Sequence, residues 1–413
     1  MASSRESSLS SLLSFPDLDT LRARRTMKWT AFEPDVLPLW VAETDFDTCP
    51  AVAAAVQDAV DREYFGYPEV GGATALAEAL AAFSAERHGW AVDPASVVIV
   101  PDVVKGIIVA IDNLTAANST IIIPLPAYPP FQKVPAATRR PATYVPMATG
   151  DNGEAVFDLE ALERAFAATD NPNGVGSFIL CNPFNPLGRA FTAEELVEVS
   201  ELAARYNVRV ISDEIHAPLV FSGNHVPTAT VSYTAAANTV TVTATSKGWN
   251  TAGLKCAQII TTNKEDAREL GRLSNLVTGE ASTVGLAAAT AAYRDGRQWL
   301  QAEVDYLEAN WRHLEARLPE VLPGIVLPVQ EATFLAWLDV SGVDRLRGED
   351  GTVTAPAKRL RQLARVGFNE GTDFGPTGAG FIRLNFGTSR EIIDATLDRI
   401  ATADLREGAA CEA

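Results

Sequence analysis

The chain has 413 residues, 47% of them hydrophobic and 21% charged, enough apolar material for more than one lobe and too much for a chain that stays disordered. Its 52 acidic residues against 34 basic ones leave a formal net charge of −18, which repels polyanions and argues against nucleic acid or an anionic membrane surface as a partner. The widely spaced Cys49, Cys181, Cys256 and Cys411 form no CxxC pair or disulfide framework, and no apolar run reaches the roughly 18 to 20 residues of a membrane span, so a cytoplasmic protein with reduced thiols, no leader and no anchor is expected.

In chain order, residues 1 to 12 are Ser-rich and are expected to be disordered. Residues 13 to 52, with RRTMKWT and VLPLWVAETDF, read as an extended arm that docks on a C-terminal small domain. AVAAAVQDAVDREY and GATALAEALAAFSAERHG then read as amphipathic helices, the second closed by Gly89. Short β-branched runs follow, alternating with helical stretches: VVIV (97–100), a helix over 104–117, TIIIPL (120–125), SFILC (177–181), a helix over 192–206, VRVISDE (208–214), TVTVTAT (239–245) and AQIITT (257–262). This alternation predicts an α/β fold with a mostly parallel sheet covered on both faces, and ligands are expected at the strand ends.

Beyond 264 the segment AAATAAYRDGRQWLQAEVDYLEANWRHLEARL reads as helical and long enough to link two lobes. FLAWLDV (334–340), a helix near 355–366, GFIRLNF (380–386) and a helix over 389–403 predict a smaller α+β lobe. The expected division is a large domain over 53–292 and a small one over 293–413.

The strand ends carry the candidate chemistry. One strand ends in Ser212-Asp213-Glu214-Ile215-His216 and another runs into Ser246-Lys247-Gly248-Trp249-Asn250, which sets a carboxylate and a lysine at the ends of two apolar strands. Burial disfavours an ammonium ion, so a lysine there becomes a usable nucleophile or base. The same residue types also serve as a helix cap and a solvated loop lysine. CNPFNPLGR (181–189) forms a stiff turn that can present an Asn amide to a ligand, although Asn-Pro is a turn former anywhere. In VPDVVKGIIVAI the amides of Val103 and Val104 open a helix and suit a phosphate, a pattern that also fits an ordinary strand-to-helix turn. Tyr128 in PAYPPF is either packing or a platform for a flat aromatic ligand.

GxSxG, GxxxxGK[ST] and HExxH are absent, so hydrolase, nucleotide-triphosphatase and zinc-protease readings lose their main support. His88, His216, His225 and His313 offer no close pair except His216 and His225, nine residues apart, and no metal site is expected.

Taken together, RRTMKWT, LPLWVAETDF, YFGYP, PLPAYPPF, CNPFNPLGR, SDEIHAPLVF, TATSKGWNTAGLKCAQ, TFLAWLDV and FIRLNFGTSRE run in order along nearly the whole chain. In that combination the sequence resembles the fold-type I pyridoxal 5'-phosphate (PLP) enzymes. Within them it is most similar to the cystathionine β-lyase or cysteine-S-conjugate β-lyase group related to MalY and PatB, and especially to actinobacterial C–S lyases.

The resemblance implies a role for each matching residue. Lys247 matches the lysine that holds PLP as a Schiff base, and Asp213 the carboxylate facing the pyridine nitrogen. Asn185 and His216 match contacts to the ring's phenolic oxygen, and Tyr128 the ring-stacking aromatic. The phosphate would be held by the amides of Val103 and Val104, the hydroxyls of Thr243 and Ser246, Lys255, and Tyr67 from a neighbouring subunit of a homodimer. Arg383 matches the arginine that grips the substrate carboxylate, with Asn185 and Ala42 also beside the substrate. Two positions depart from the common pattern: Asp102 stands where many relatives have Gly, and Ala244 stands three residues before the lysine, where a phosphate-binding Ser is frequent. The activity implied is α,β-elimination from an L-cysteine thioether to a thiol, pyruvate and ammonia. An aminotransferase of the same fold and a regulatory binding protein are the alternatives.

Overall fold

The computed structural model describes residues 12–348 and 350–405; apart from Leu12 the Ser-rich segment, like Cys411, lies outside the described residues. The chain forms two compact units, one from 48–185 and 189–301, the other from the arm up to Asp47, 186–188 and the chain from Ala302 onward.

The first unit is built on a seven-stranded sheet in the order Val97–Val100, Ala257–Thr261, Thr239–Thr243, Arg209–Asp213, Val175–Cys181, Thr120–Leu125, Ala142–Pro146. Ala257–Thr261 runs antiparallel to both neighbours, and the other pairings are parallel. The central strands are buried on both faces, which is why they read as continuous β-branched runs rather than as alternation. Cys181 lies beside Asp213, Asp213 beside Val242, Thr243 beside Gln258, and Val100 beside Ala257. The ends of four parallel strands and the start of the reversed one therefore share one edge of the sheet.

Helix Val103–Leu114 begins at that edge. Its N-cap is Asp102, whose Oδ1 accepts from the Lys105 amide at 2.9 Å. Gly106 brings the helix close: a Cβ there would meet Val242 and Ile259 at 3.2 and 3.4 Å.

Two features of this unit differ from the sequence reading. Ala142–Pro146 is an additional edge strand, hidden in the sequence because three of its five residues are exposed and prolines stand before it and at its end; an edge strand tolerates both. The long helical segment is broken, into Thr283–Asp295 and Arg297–Val321, at Gly296. The Trp249 indole N–H donates to the Gly296 carbonyl at 3.0 Å, and a Cβ at 296 would lie 2.5 Å from that same nitrogen.

In the second unit, Leu335–Asp339, Phe381–Asn385 and Asn369–Glu370 form an antiparallel sheet with Phe381–Asn385 in the middle, accompanied by helices Pro356–Ala364 and Arg390–Thr402. The arm is anchored here rather than free. Leu37–Pro38 pairs in parallel with Val366–Gly367, and the Asn385 side-chain amide donates to the carbonyls of Val41 and Glu43 at 2.6 and 2.8 Å. Lys28 is wholly buried, with its ammonium 2.7 Å from Asp45 and 3.0 Å from the Glu43 carbonyl, while the Trp29 indole donates to the other Asp45 oxygen at 2.8 Å. An ion pair this deep persists because its remaining hydrogen-bonding capacity is filled by the arm itself. Among the described residues no helix is long and apolar enough to cross a membrane.

Candidate active site

A cleft of about 350 Å³ opens at the sheet edge where the strand ends gather. Val103 and Val104 line it from the helix that follows Val100, Tyr128 from the turn after Leu125, Asn185 from the turn after Cys181, and Ser246 and Lys247 from the turn after Thr243. Asp213 and His216 line it at the end of their own strand, and Lys255 from just before the reversed one. Five of the six parallel strands thus deliver a functional group as they leave the sheet, the edge strand Ala142–Pro146 being the exception, and the antiparallel strand delivers its group as it enters.

Asp213 forms the floor. It is 3% exposed, its Oδ1 accepts from the Ile215 amide at 3.0 Å, and burial raises its pKa to about 7 against the opposing pull of that amide and of the Lys247 charge. Such a carboxyl holds a proton near neutrality, and a cation brought against it would restore its charge. Cys181, its neighbour in register, is buried with its thiol 3.3 Å from the Pro183 carbonyl; burial, with the Asp213 charge added, pushes that thiol well up, so it is not a thiolate nucleophile.

The two Asn-Pro asparagines have different jobs. Asn182 is structural: its amide donates to the Val226 carbonyl at 3.0 Å and its oxygen accepts from Phe191 N–H at 3.2 Å, which fixes the turn. Asn185, 3% exposed, lines the cleft.

One side of the donor set suits an anion. The amides of Val103 and Val104 belong to the helix's first turn, where no intrahelical acceptor exists, and they line the cleft with the Ser246 hydroxyl and the Lys255 ammonium. Lys255 has a positive φ of 53°, a left-handed turn that leads into the reversed strand. Its ammonium is 3.1 Å from Asp102 Oδ2, so the acid that departs from the common pattern is occupied by the Lys105 amide on one oxygen and by Lys255 on the other.

Thr243 is a correction. It does not line this cleft. Side chains along Thr239–Thr243 alternate, so residue 243 shares a face with Thr241, and both line a separate inner cavity with His88, Glu214, His225 and Tyr293. The Thr243 hydroxyl donates instead to the Glu214 carbonyl at 3.3 Å. Ser246 is then the hydroxyl of this turn that faces the cleft. Tyr67 also lies outside the cleft within the chain and is 90% exposed.

Arg383 and Ala42 belong to the second unit. Arg383 is 3% exposed on the middle strand; its Nη2 donates to the Trp40 carbonyl at 3.0 Å and to Asn369 Oδ1 at 2.7 Å, and its guanidinium lies over the Phe374 ring, 4.8 Å from the centroid. Ala42, 9% exposed, sits in the arm segment that this strand clasps through Val41 and Glu43.

Ile215, Ala252 and Cys181 line the cleft without having been singled out from the sequence. Nothing in their residue types marks them: Cys181 is brought in by strand register, Ile215 and Ala252 by the connections that follow Asp213 and Thr243.

The family model for class I and II aminotransferases matches residues 34–400. The chain belongs to that family. It is 45% identical over 94% of its length to a cystathionine β-lyase of Corynebacterium glutamicum, 99% of which is covered, and 33% identical over 89% to the cystathionine β-lyase PatB of Bacillus subtilis, 92% of which is covered. Among solved structures it is similar to a Corynebacterium diphtheriae protein described as a PLP-dependent β-cystathionase, with a TM-score of 0.87, 45% identity and coverage of 95% of this chain and 98% of that one. A PLP-bound C–S lyase from Staphylococcus hominis superposes with a TM-score of 0.85 at 26% identity, covering 96% of this chain and all of the other.

Proposed function

We propose that the protein is a PLP-dependent carbon–sulfur β-lyase that acts on L-cysteine thioethers such as cystathionine. The observation that carries the reading is the meeting of Lys247 and Asp213 in one cleft whose other lining residues suit a phosphorylated pyridine aldehyde. An amine is present for the aldehyde, a buried carboxyl for the ring nitrogen and an aromatic side chain for the ring face, with amides, a hydroxyl and an ammonium for the phosphate. The relatives named as cystathionine β-lyases support elimination over amino transfer.

When bound, PLP supplies an electron sink for the bonding pair left at the substrate α-carbon. Lys247 would hold the cofactor through its Nζ and, as a neutral amine, would take the substrate α-proton. Asp213, buried in the cleft, would face the ring nitrogen and keep a proton on it. Arg383 grips the substrate carboxylate with its planar fork. The Cβ–S bond then breaks and the sulfur leaves as a thiol; one water is consumed as the three-carbon remainder becomes pyruvate and ammonium.

The same reading makes the enzyme a cytoplasmic homodimer. Exposed Phe65, Tyr67, Val70 and Leu276 supply apolar surface for a second copy, and the Thr283 hydroxyl holds the Gly66 carbonyl of the loop that carries Tyr67 at 2.8 Å. The buried Cys49, Cys181 and Cys256 form no disulfide among the described residues, as suits a reducing compartment.

The test is incubation with L-cystathionine in the absence of any keto acid. Pyruvate and homocysteine in equal amounts, lost in Lys247→Ala, support the lyase, whereas turnover that depends on an added keto acid overturns it.

A further inference from the structure

Directly behind Asp213 lies an acid that the reaction above does not use. Glu214 is 2% exposed and faces away from the cleft into the inner cavity. Its Oε1 accepts from the Ser212 hydroxyl and the Thr228 amide, both at 2.9 Å, and its Oε2 is 3.0 Å from His225 Nε2. Its backbone is held equally firmly: its N–H donates to the Val242 carbonyl at 2.8 Å, and its own carbonyl accepts from the Ala217 amide at 3.0 Å and from the Thr243 hydroxyl. Two donors converge on Oε1, and in the tautomer that carries its proton on Nε2 His225 supplies one to Oε2, an arrangement that suits a carboxylate.

Burying a second acid next to Asp213 is costly, and an apolar side chain would fill the space without that cost. A negative charge at this place has one electrostatic effect on the cleft: it strengthens the hold of Asp213 on a proton. Burial dominates the upward shift of Asp213, opposed by the Ile215 amide and Lys247, and the Glu214 charge adds to it.

His225 completes the arrangement. Its ring is buried, with its Nδ1 making no hydrogen bond among the described residues. The buried Thr241 hydroxyl is in the same condition, and both residues line the inner cavity, whose volume of about 20 Å³ is room for about one water. The other ionisable groups that face the cavity are His88, whose ring is 5.0 Å from that of His225 and whose pKa is lowered to about 2 by burial and by the neighbouring His225 and Arg87 charges, and Tyr293, whose hydroxyl donates to Gln258 at 3.0 Å.

We propose that Glu214 and His225 form a positioning pair behind Asp213, with His225 orienting the Glu214 carboxylate and that carboxylate reinforcing the grip of Asp213 on the ring nitrogen of the cofactor. The pair touches neither substrate nor cofactor and acts only through Asp213. The inference rests on the PLP reading above.

The experiment titrates PLP, and separately its carbocyclic analogue with C–H in place of the ring nitrogen, into cofactor-free wild type, Glu214→Gln, His225→Gln and His225→Leu, with thermal melts confirming that each is folded. Glu214→Gln and His225→Leu should weaken PLP by about tenfold, the scale of one hydrogen bond to a charged group, while weakening the analogue less than about twofold. His225→Gln keeps an N–H toward Glu214 and should restore most of the loss. Equal losses for PLP and the analogue, or no loss for either, overturn the proposal. Failure of the wild type to take up PLP would instead overturn the cofactor reading, and this inference with it. If Glu214→Gln does not fold, the two His225 variants decide the matter between them.

Discussion

The Lys255 ammonium rests 3.1 Å from Asp102 Oδ2, so the cation best placed to meet an anionic ligand in the cleft already has an anionic partner. Both side chains are about half exposed, which limits the pair to roughly 1 kcal/mol or less. Asp102→Asn keeps an N-cap for helix Val103–Leu114 and frees Lys255. PLP should then bind up to about fivefold more tightly, measured by titration of the cofactor-free protein, with little change in thermal stability.

Asp213 sets a pH dependence in the cofactor-free protein. Its folded pKa of about 7 lies above the ordinary 3.8, so the folded state binds more protons than the unfolded one between those values. Stability therefore falls as pH rises from about 4 to 7 and is flat in this respect above that, by on the order of 4 kcal/mol in total. Asp213→Asn should remove that slope, as read from denaturant melts of the two proteins across the range, and should abolish lyase turnover.

The fold was legible where local pattern and burial agree, as in TIIIPL, SFILC and TVTVTAT, whose apolar runs became the central strands. It was not legible where tertiary context decides. The exposed strand Ala142–Pro146 has no apolar pattern to betray it, and Gly296 breaks a helix because the Trp249 indole, far away in sequence, needs its carbonyl. In the site, strand-end residues such as Asp213 and Lys247 are legible because neighbouring parallel strands deliver their groups at the same edge. Thr243 was misassigned because proximity to Lys247 in sequence does not say which face of its strand a side chain takes; the period of two turns it inward beside Thr241. Glu214 and His225 carried no signal beyond their residue types.

Glu303 is the least satisfied acid among the described residues. It is wholly buried in helix Arg297–Val321, and burial pushes its pKa well up, offset only in part by a hydrogen bond from the Thr44 hydroxyl. Ionising it as pH rises must cost stability. Glu303→Met, of similar length, should raise stability by about 1–3 kcal/mol, with the gain over wild type growing toward alkaline pH in thermal melts.

Arg383 is held in one orientation by the Trp40 carbonyl, Asn369 and the Phe374 face. Lysine at this position keeps the charge and loses the planar fork. Arg383→Lys should raise KM for cystathionine roughly 10- to 100-fold, with a smaller effect on kcat, as measured by initial rates of pyruvate release.

The reversed strand Ala257–Thr261 has a consequence for how the cleft is assembled. Because it turns back directly after Thr239–Thr243, the hydroxyl of Ser246 and the amines of Lys247 and Lys255 all arrive on one uninterrupted connection between two hydrogen-bonded neighbours. Had the strand been parallel, the chain would have had to cross back over the sheet to enter at its opposite edge, carrying Lys255 away from the cleft. The reversal makes this side of the cleft a local object, carried by the single connection over 244–256. It is the part of the site whose formation asks least of the rest of the chain during folding.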